Sequence, residues 1–288
     1  MTLLENFASV SEEEVTRIIK HSPIKSCELD PIPTWLLKSC LQELLPVLTN
    51  IINLSLKTAS VPAAFKSAHI RPLLKKANLE PNTLKNYRPV SNLPFISKVL
   101  EKVVNSRIED HLTLNNLHEE HQSAYRQSHS TESALLKVQT DILQSLDQND
   151  VTVLVMLDLS AAFDTIDHTT LLHRLQDLYG ITGKSLDWIS SYLSDRQQTV
   201  CIDGTKSRPV VMHFGVPQGS VLGPIFYTMY TKPVIPSVDI MDLITIFTLM
   251  TLSFIYHLNL WTKLRRQRHY IALSVVYTTL CLGCIAIC

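Results

Sequence analysis

Residues 151–168, with the sequence VTVLVMLDLSAAFDTIDH, hold the side chains of this chain that are best arranged for chemistry. The opening run of this stretch is aliphatic and rich in β-branched residues, which predicts a buried strand. Asp158 follows at once, and Phe163 and Asp164 come a few residues later. A carboxylate at the end of a buried strand is costly unless it is paired or binds a metal ion. A lone aspartate at such a place more often caps the next helix, so the pattern leaves both interpretations open.

The composition limits the function classes without selecting one. The chain has 288 residues, enough for one large domain or two small ones. Lys and Arg number 26, as do Asp and Glu, so the chain lacks the basic excess that usually marks nucleic-acid binding. The charge is uneven, because residues 66–88 carry six Lys and Arg residues and a single acid, Glu80. Such a run is either a solvated surface or a groove that follows phosphates.

Cysteine usage and the N-terminus favour a reduced, intracellular protein. The chain has six cysteines, and their spacing shows no paired metal-binding pattern with histidines. Cys281 and Cys284 form a CxxC without a second pair, which argues against a zinc site. The first residues, MTLLENFASVSEEEV, lack the basic and then apolar pattern of a signal peptide.

Hydrophobic periodicity predicts the elements that surround the Asp158 stretch. In the first half we expect helices over residues 9–21 and 35–56, a strand over 68–76, and a helix that begins near Pro94. Trp35 is assigned to the core. In the second half the predicted elements are a helix capped by Ser130 or Thr131, helical residues 168–194 with an interruption at 180–183, a strand over 196–203, a tight loop at 214–222, and a helix over 225–230.

Four segments resemble motifs of one family of polymerases. Residues 87–91, YRPVS, resemble a fingers motif of retroelement reverse transcriptases, and residues 121–136, HQSAYRQSHSTESALL, resemble motif 2. The stretch at 151–168 resembles motif A, and residues 214–222, FGVPQGSVL, resemble motif B. Because the four occur in the family's order, the chain is identified as a member of the reverse transcriptases of non-LTR (LINE-type) retrotransposons.

The resemblance implies a fold and a metal site. We expect an α/β (α+β) structure, the fingers and an incomplete palm of a right-hand polymerase, with an antiparallel sheet and flanking helices. The family uses Mg²⁺, so the resemblance makes Asp158 the catalytic metal ligand. It also divides the chain into an N-terminal helical linker, fingers with a partial palm, and a tail, over residues 1–65, 66–234 and 235–288.

The resemblance also implies the partners and their contacts. These are an RNA template, a DNA primer and a deoxynucleoside triphosphate (dNTP). Arg126 would bind the triphosphate, a contact that suits a bidentate guanidinium, and Phe163 would exclude a ribose 2′-hydroxyl. Gln218 and Gly219 would back the nucleotide and the template base. Tyr87 and Arg88 would contact the template from the fingers.

One motif of the family is missing from this chain. Two metal ions need several oxygen ligands, and the family supplies most of the remainder from a Tyr-Ala-Asp-Asp hairpin, motif C, after motif B. Residues 238–260 are apolar there and nearly free of charge. Codons for residues 238–257, read from the third base with permitted synonymous choices, give GHHGLNYHFYADDTQLYLS. The second Asp of this reading is independent of codon choice, since it spans Met250 and Thr251.

Two explanations of residues 235–288 follow. The first is a frameshift between Val234 and Val238, which makes the tail out-of-frame sequence and the chain an inactive polymerase. The second takes the tail as genuine, since residues 243–261 and 270–288 are each long and apolar enough to span a bilayer, with four basic residues between them. The chain would then be a membrane-anchored or nucleic-acid-binding remnant without chemistry.

Overall fold

The computed structural model describes residues 2–25, 27–119, 122–148, 151–158, 162–234, 243–248, 251–258 and 277–279. Its α-helices are α1 Glu12–His21, α2 Thr34–Ser39, α3 Leu41–Thr58, α4 Phe95–Leu114, α5 Thr131–Asp147, α6 His168–Tyr179, α7 Gly183–Leu193 and α8 Gly223–Thr231. Its strands are β1 Ser67–Leu74, β2 Tyr87–Asn92, β3 Val151–Asp158, β4 Gln197–Ile202, β5 Thr205–Lys206, β6 Val210–Val211, β7 Leu243–Thr248, β8 Thr251–Leu258 and β9 Tyr277–Thr279.

Contacts divide the chain into two compact units. Unit 1 comprises Met1–Leu117 and Ile166–Met229, and unit 2 comprises His118–Thr165 and Tyr230–Cys288. The predicted division at residues 65 and 234 stays a prediction. The contacts place the N-terminal segment together with β1, β2 and α4 in unit 1.

The helices of unit 1 form where the sequence supplies caps and apolar faces. The hydroxyl of Ser11 accepts the Glu14 N–H at 3.3 Å and caps α1, whose first turn carries three acids that favour a helix N-terminus. The helix predicted over 35–56 is instead divided at Cys40 into α2 and α3. Trp35 is 58% exposed, so its assignment to the core is wrong. The short helix α2 buries the face that bears Thr34 and Leu37, and Trp35 lies outside that face.

The sheet of unit 1 has the order β2-β1-β4-β5, with β6 also paired to β4. Strands β1 and β2 are antiparallel, whereas β1 and β4 are parallel from Ser67↔Gln197 to Ile70↔Val200. The expected α/β class with helices beside a sheet is confirmed. The expected antiparallel pairing holds in this sheet except where β1 meets β4, a contact that joins segments far apart in the sequence. In the sheet of unit 2, β3 and β9 are also parallel.

Unit 2 contains a second sheet, in the order β7-β8-β3-β9. Strand β8 pairs with β3 in antiparallel register from Val151↔Leu258 to Asp158↔Thr251, and β7 and β8 form a hairpin that closes at Thr248↔Thr251. Helix α5 contacts three of these strands, β3, β7 and β8. Ser130 caps α5 as predicted, in a reciprocal capping box with Ser133.

The apolar tail forms strands where it is described. No helix among the described residues is both long enough and apolar enough to cross a bilayer. Residues 243–248 and 251–258 are β7 and β8. The pair Cys281 and Cys284 and the rest of the second apolar segment, apart from β9, lie outside the described residues.

Candidate functional site

The loop at residues 215–222 in unit 1 is held by several hydrogen bonds to neighbouring elements. Its first glycine, Gly215, has φ +80° and donates its N–H to the Ile166 carbonyl at 2.7 Å. The Gly215 carbonyl lies 2.7 Å from Nε2 of His168. A carbonyl only accepts hydrogen bonds, so Nε2 is the protonated nitrogen of that ring. These contacts fix the start of the loop.

The middle of the loop lies against the end of β2. Ser91 donates its N–H to the carbonyl of Gln218 at 2.8 Å. Gly219 has φ +106°, and a Cβ at this position would lie 3.2 Å from the Ser91 carbonyl oxygen. A glycine is therefore required both by the backbone conformation and by the close approach. The structure thus brings together the YRPVS and PQG segments, a contact that we did not predict from the sequence.

The side chain of Gln218 has an available hydrogen-bonding atom. Its Oε1 is buried and has no hydrogen-bond partner among the described residues. Buried polar atoms in folded proteins are nearly always paired, and an exception calls for an explanation such as a functional role or a bound water. Gln218 is therefore suited to accept a hydrogen bond from a bound molecule.

Behind the loop lies a buried glutamate that the sequence analysis did not single out. Glu101 of α4 is 1% exposed, and its Oε2 accepts the N–H groups of Val221 and Leu222 at 2.7 and 3.2 Å. Burial raises the pKa of this carboxyl, and the positive charge of Arg196 opposes the shift. A signal was present, because Glu101 lies at helical spacing with Val104 and Ile108 on the apolar face of α4.

Arg196 is fully buried beside this carboxylate. Its guanidinium donates to the carbonyls of Tyr192 and Phe65 at 3.0 and 3.4 Å, and it lies 4.6 Å from the centre of the Tyr192 ring. Burial, and then the negative charge of Glu101, raise the pKa of the Tyr192 phenol. The group is a charged and aromatic cluster inside unit 1.

Tyr87 and Arg88 lie on β2, at the far end from Ser91. The Tyr87 hydroxyl donates to the Pro81 carbonyl at 3.0 Å, and its ring lines a cleft of about 920 Å³ over the sheet. Arg88 is exposed. At the cleft edge, Glu28 contacts three basic side chains, namely Lys206 at 2.9 Å, Arg71 at 3.2 Å and His69 at 3.6 Å.

The other predicted site residues belong to unit 2. Arg126 is half-buried and donates from Nη1 to the Glu119 carbonyl at 3.0 Å. Burial, and then the charges of Arg126, His129 and Lys232, lower the pKa of His118, so Arg126 lies near other basic side chains. Phe163 is 8% exposed. The backbone of Asp158 ends β3, with its Cα paired to those of Thr251 on β8 and Thr279 on β9.

A sequence model of the family described as reverse transcriptase (RNA-dependent DNA polymerase) matches residues 74–248. The chain belongs to the reverse transcriptase family. This reverse transcriptase domain is 33% identical over 220 residues to the probable RNA-directed DNA polymerase from transposon BS of Drosophila melanogaster, covering 76% of the chain and 24% of the relative. It is 29% identical over 226 residues to the polymerase from the mobile element jockey of the same species, covering 78% and 24%.

These relatives confirm the expected LINE-type element. The chain spans about a quarter of the length of each of them. A solved telomerase structure from Candida tropicalis, truncated from the C-terminal domain, matches with a TM-score of 0.47 and 15% identity over 68% of this chain and 44% of that one.

The described part of the reverse transcriptase domain does not complete a metal centre. No group of three or more His, Cys, Asp or Glu side chains in it could hold a metal ion. The described positions that flank the β7–β8 turn, Thr248 and Thr251, provide no carboxylate. A pair of Mg²⁺ ions requires several oxygen ligands, so these residues do not fit the family's cofactor.

Proposed function

We propose that this chain is part of an RNA-directed DNA polymerase and that, with its present tail, it does not catalyse polymerisation. Membership of the family supports the first statement, and the site residues support a binding function. The proposed partners are an RNA template, a DNA primer and a dNTP. The proposed location is inside the cell, where a retrotransposon is copied.

The loop at residues 215–222 carries the proposal for the nucleotide. Gln218 Oε1 is buried without a partner among the described residues, and the loop backbone is held by Ser91 and His168. A fixed loop with an unsatisfied acceptor favours recognition of a base or sugar edge. Gly219 belongs to the same proposed site, because its lack of a side chain lets the loop pack closely against the Ser91 carbonyl and so holds Gln218 in place. Phe163 is the proposed residue that excludes the ribose 2′-hydroxyl.

Arg126 carries the proposal for the triphosphate. The charges of Arg126 and Lys232 both act on His118, so the two cations lie in one neighbourhood, which favours an anion. The guanidinium has one donor on the Glu119 carbonyl and others that suit a phosphate. Tyr87 and Arg88 are the proposed template contacts, since an aromatic ring on a basic cleft is the usual way to bind a single strand.

The register of unit 2 supports the proposal of inactivity. Asp158 is the proposed metal ligand, and the residue paired with it on β8 is Thr251. The out-of-frame reading places an Asp across Met250 and Thr251, next to that pair. A frameshift upstream would therefore have removed the carboxylate from the strand position that lies beside Asp158.

Sequencing the genomic locus and transcript across codons 230–260 tests this directly. A single-base slip that restores Tyr-Ala-Asp-Asp would assign the activity to the restored frame and none to the apolar tail. If the transcript encodes the apolar tail in frame with residues 1–234, the tail is genuine protein and the frameshift proposal fails.

A further inference from the structure

We propose that Glu101 is a positioning residue that holds the loop at residues 218–222 from inside unit 1 and so sets where Gln218 meets its ligand. The identity of that ligand, a dNTP, rests on the proposed function. The contact between Glu101 and the loop does not depend on the proposed function, because all of its residues belong to unit 1.

The carboxylate occupies the start of α8. The first helical hydrogen bond runs from the Phe226 N–H to the Leu222 carbonyl at 3.0 Å, so the N–H groups just before this point have no partner within the helix. Glu101 accepts those of Val221 and Leu222. The Ser220 hydroxyl accepts the next, from Gly223, at 3.0 Å. A side chain 120 residues away thus supplies a cap that is usually local.

A carboxyl oxygen suits this place as a hydrogen-bond acceptor. The N-terminus of a helix carries a partial positive charge, and α8 provides one next to Glu101. Burial raises the pKa of Glu101, and fully buried Arg196 supplies a positive charge nearby that partly offsets this rise. An apolar side chain of the same size would leave two buried N–H groups without acceptors, which is the costly arrangement.

The same short segment of chain holds the loop from two directions. Ser91, at the end of β2, binds the Gln218 carbonyl, and Glu101, in the second turn of α4, binds the residues that follow Ser220. Strand β2 ends at Asn92 and α4 begins at Phe95, so both contacts come from one nearly continuous segment. Gln218 is therefore fixed relative to the strand that bears Tyr87 and Arg88.

Amide hydrogen exchange of the full chain tests the hold on the loop. In Glu101→Met, which keeps the side-chain length and removes the acceptor, exchange of the Val221 and Leu222 amides should rise about tenfold or more, the factor expected for loss of a hydrogen bond to a charged group. Glu101→Gln keeps an oxygen within reach and should restore most of the protection. Val103→Ala, on the same helix and fully buried, is the matched control. It should raise exchange throughout unit 1 without singling out these two amides.

Two results would overturn the assignment. One is exchange at Val221 and Leu222 that is unchanged in Glu101→Met. The other is an increase in exchange at these two amides in Glu101→Met that is no larger than the increase in α1, the uniform pattern expected of the Val103→Ala control. If Glu101→Met does not fold, Glu101→Asp replaces it, because its carboxylate is one methylene too short to reach. Protection of both amides equal to wild type in Glu101→Asp would then overturn the assignment.

Binding of labelled dATP separates this inference from the proposed function. If wild type binds dATP, Glu101→Met should weaken binding severalfold, and equal affinity would show that Glu101 does not position Gln218 for the ligand. If wild type does not bind dATP while the two amides respond as expected, the hold on the loop stands and the proposed nucleotide site fails.

Discussion

The loop that carries Gln218 and the strand that ends at Asp158 both match motifs of the same family, but their neighbours come from different parts of the chain. The loop is held by Ser91, Glu101 and His168, which all precede it in the sequence. The end of β3 is paired with Thr251 and Thr279, which both belong to the apolar tail. A frameshift near residue 234 would therefore change the residues that pair with the strand and leave those that hold the loop unchanged. Binding geometry can outlast catalytic geometry in such a chain.

The largest effect expected concerns catalysis. Restoring the frame that encodes Tyr-Ala-Asp-Asp should raise primer extension on an RNA template by many orders of magnitude, since metal-bound charge stabilisation supplies most of the rate in this chemistry. The measurement is incorporation of labelled dNTP by the two proteins side by side. If the chain with the apolar tail extends the primer at a comparable rate, the proposal that the tail abolishes catalysis fails.

A large effect on stability is expected from the loop's anchor. Glu101→Met should lower the free energy of unfolding by about 3–5 kcal/mol, because it leaves Arg196 buried without its compensating charge. Urea denaturation monitored at Trp188, which is fully buried in unit 1, measures this. A loss below about 1 kcal/mol, close to the range of ordinary surface substitutions, would contradict it.

A smaller effect is expected where the loop meets β2. Gly219→Ala should cost about 1–3 kcal/mol, because φ is +106° and the new Cβ would lie 3.2 Å from the Ser91 carbonyl oxygen. Gly204→Ala is the matched control, with φ +80° and no atom within 4 Å of its added Cβ. The difference between the two unfolding free energies isolates the contact with Ser91. Equal losses would show that only backbone strain matters.

The smallest expected effect is on pH dependence. Burial raises the pKa of Glu101 above its ordinary value of 4.5, so the folded state holds this proton more tightly than the unfolded state. The resulting stabilisation is complete below pH 4.5 and is lost as the pH rises through the folded-state pKa. Over that interval the stability of wild type should fall relative to Glu101→Gln. Parallel pH profiles for the two proteins would contradict a raised pKa.

Local signals in the sequence predicted much of this structure. The caps at Ser11 and Ser130 predicted where α1 and α5 begin, since a side-chain oxygen next to free N–H groups acts within one turn. The interruption at residues 180–183 separates α6 from α7, and Gly180 ends α6 in the left-handed conformation. The order of the motifs predicted the family.

The parts that the sequence did not predict depend on long-range contacts. The parallel pairing of β1 with β4 joins residues about 130 positions apart, and no local pattern encodes it. Glu101 was overlooked because a single acid in an apolar stripe indicates a buried group without indicating its partner. Trp35 was misplaced because periodicity ran through Cys40, where the helix in fact breaks.

Helix α5 has a consequence for the fate of the polypeptide in a cell. Its buried positions include Ala134, Asp141 and Ser145, while four leucines face solvent, namely Leu135, Leu136, Leu143 and Leu146. A row of uncovered leucines is the kind of surface that chaperones retain and proteases sample. Where no further part of the protein covers these leucines, translated copies of this chain should be cleared quickly, so the steady-state amount of protein would be low even where the transcript is abundant.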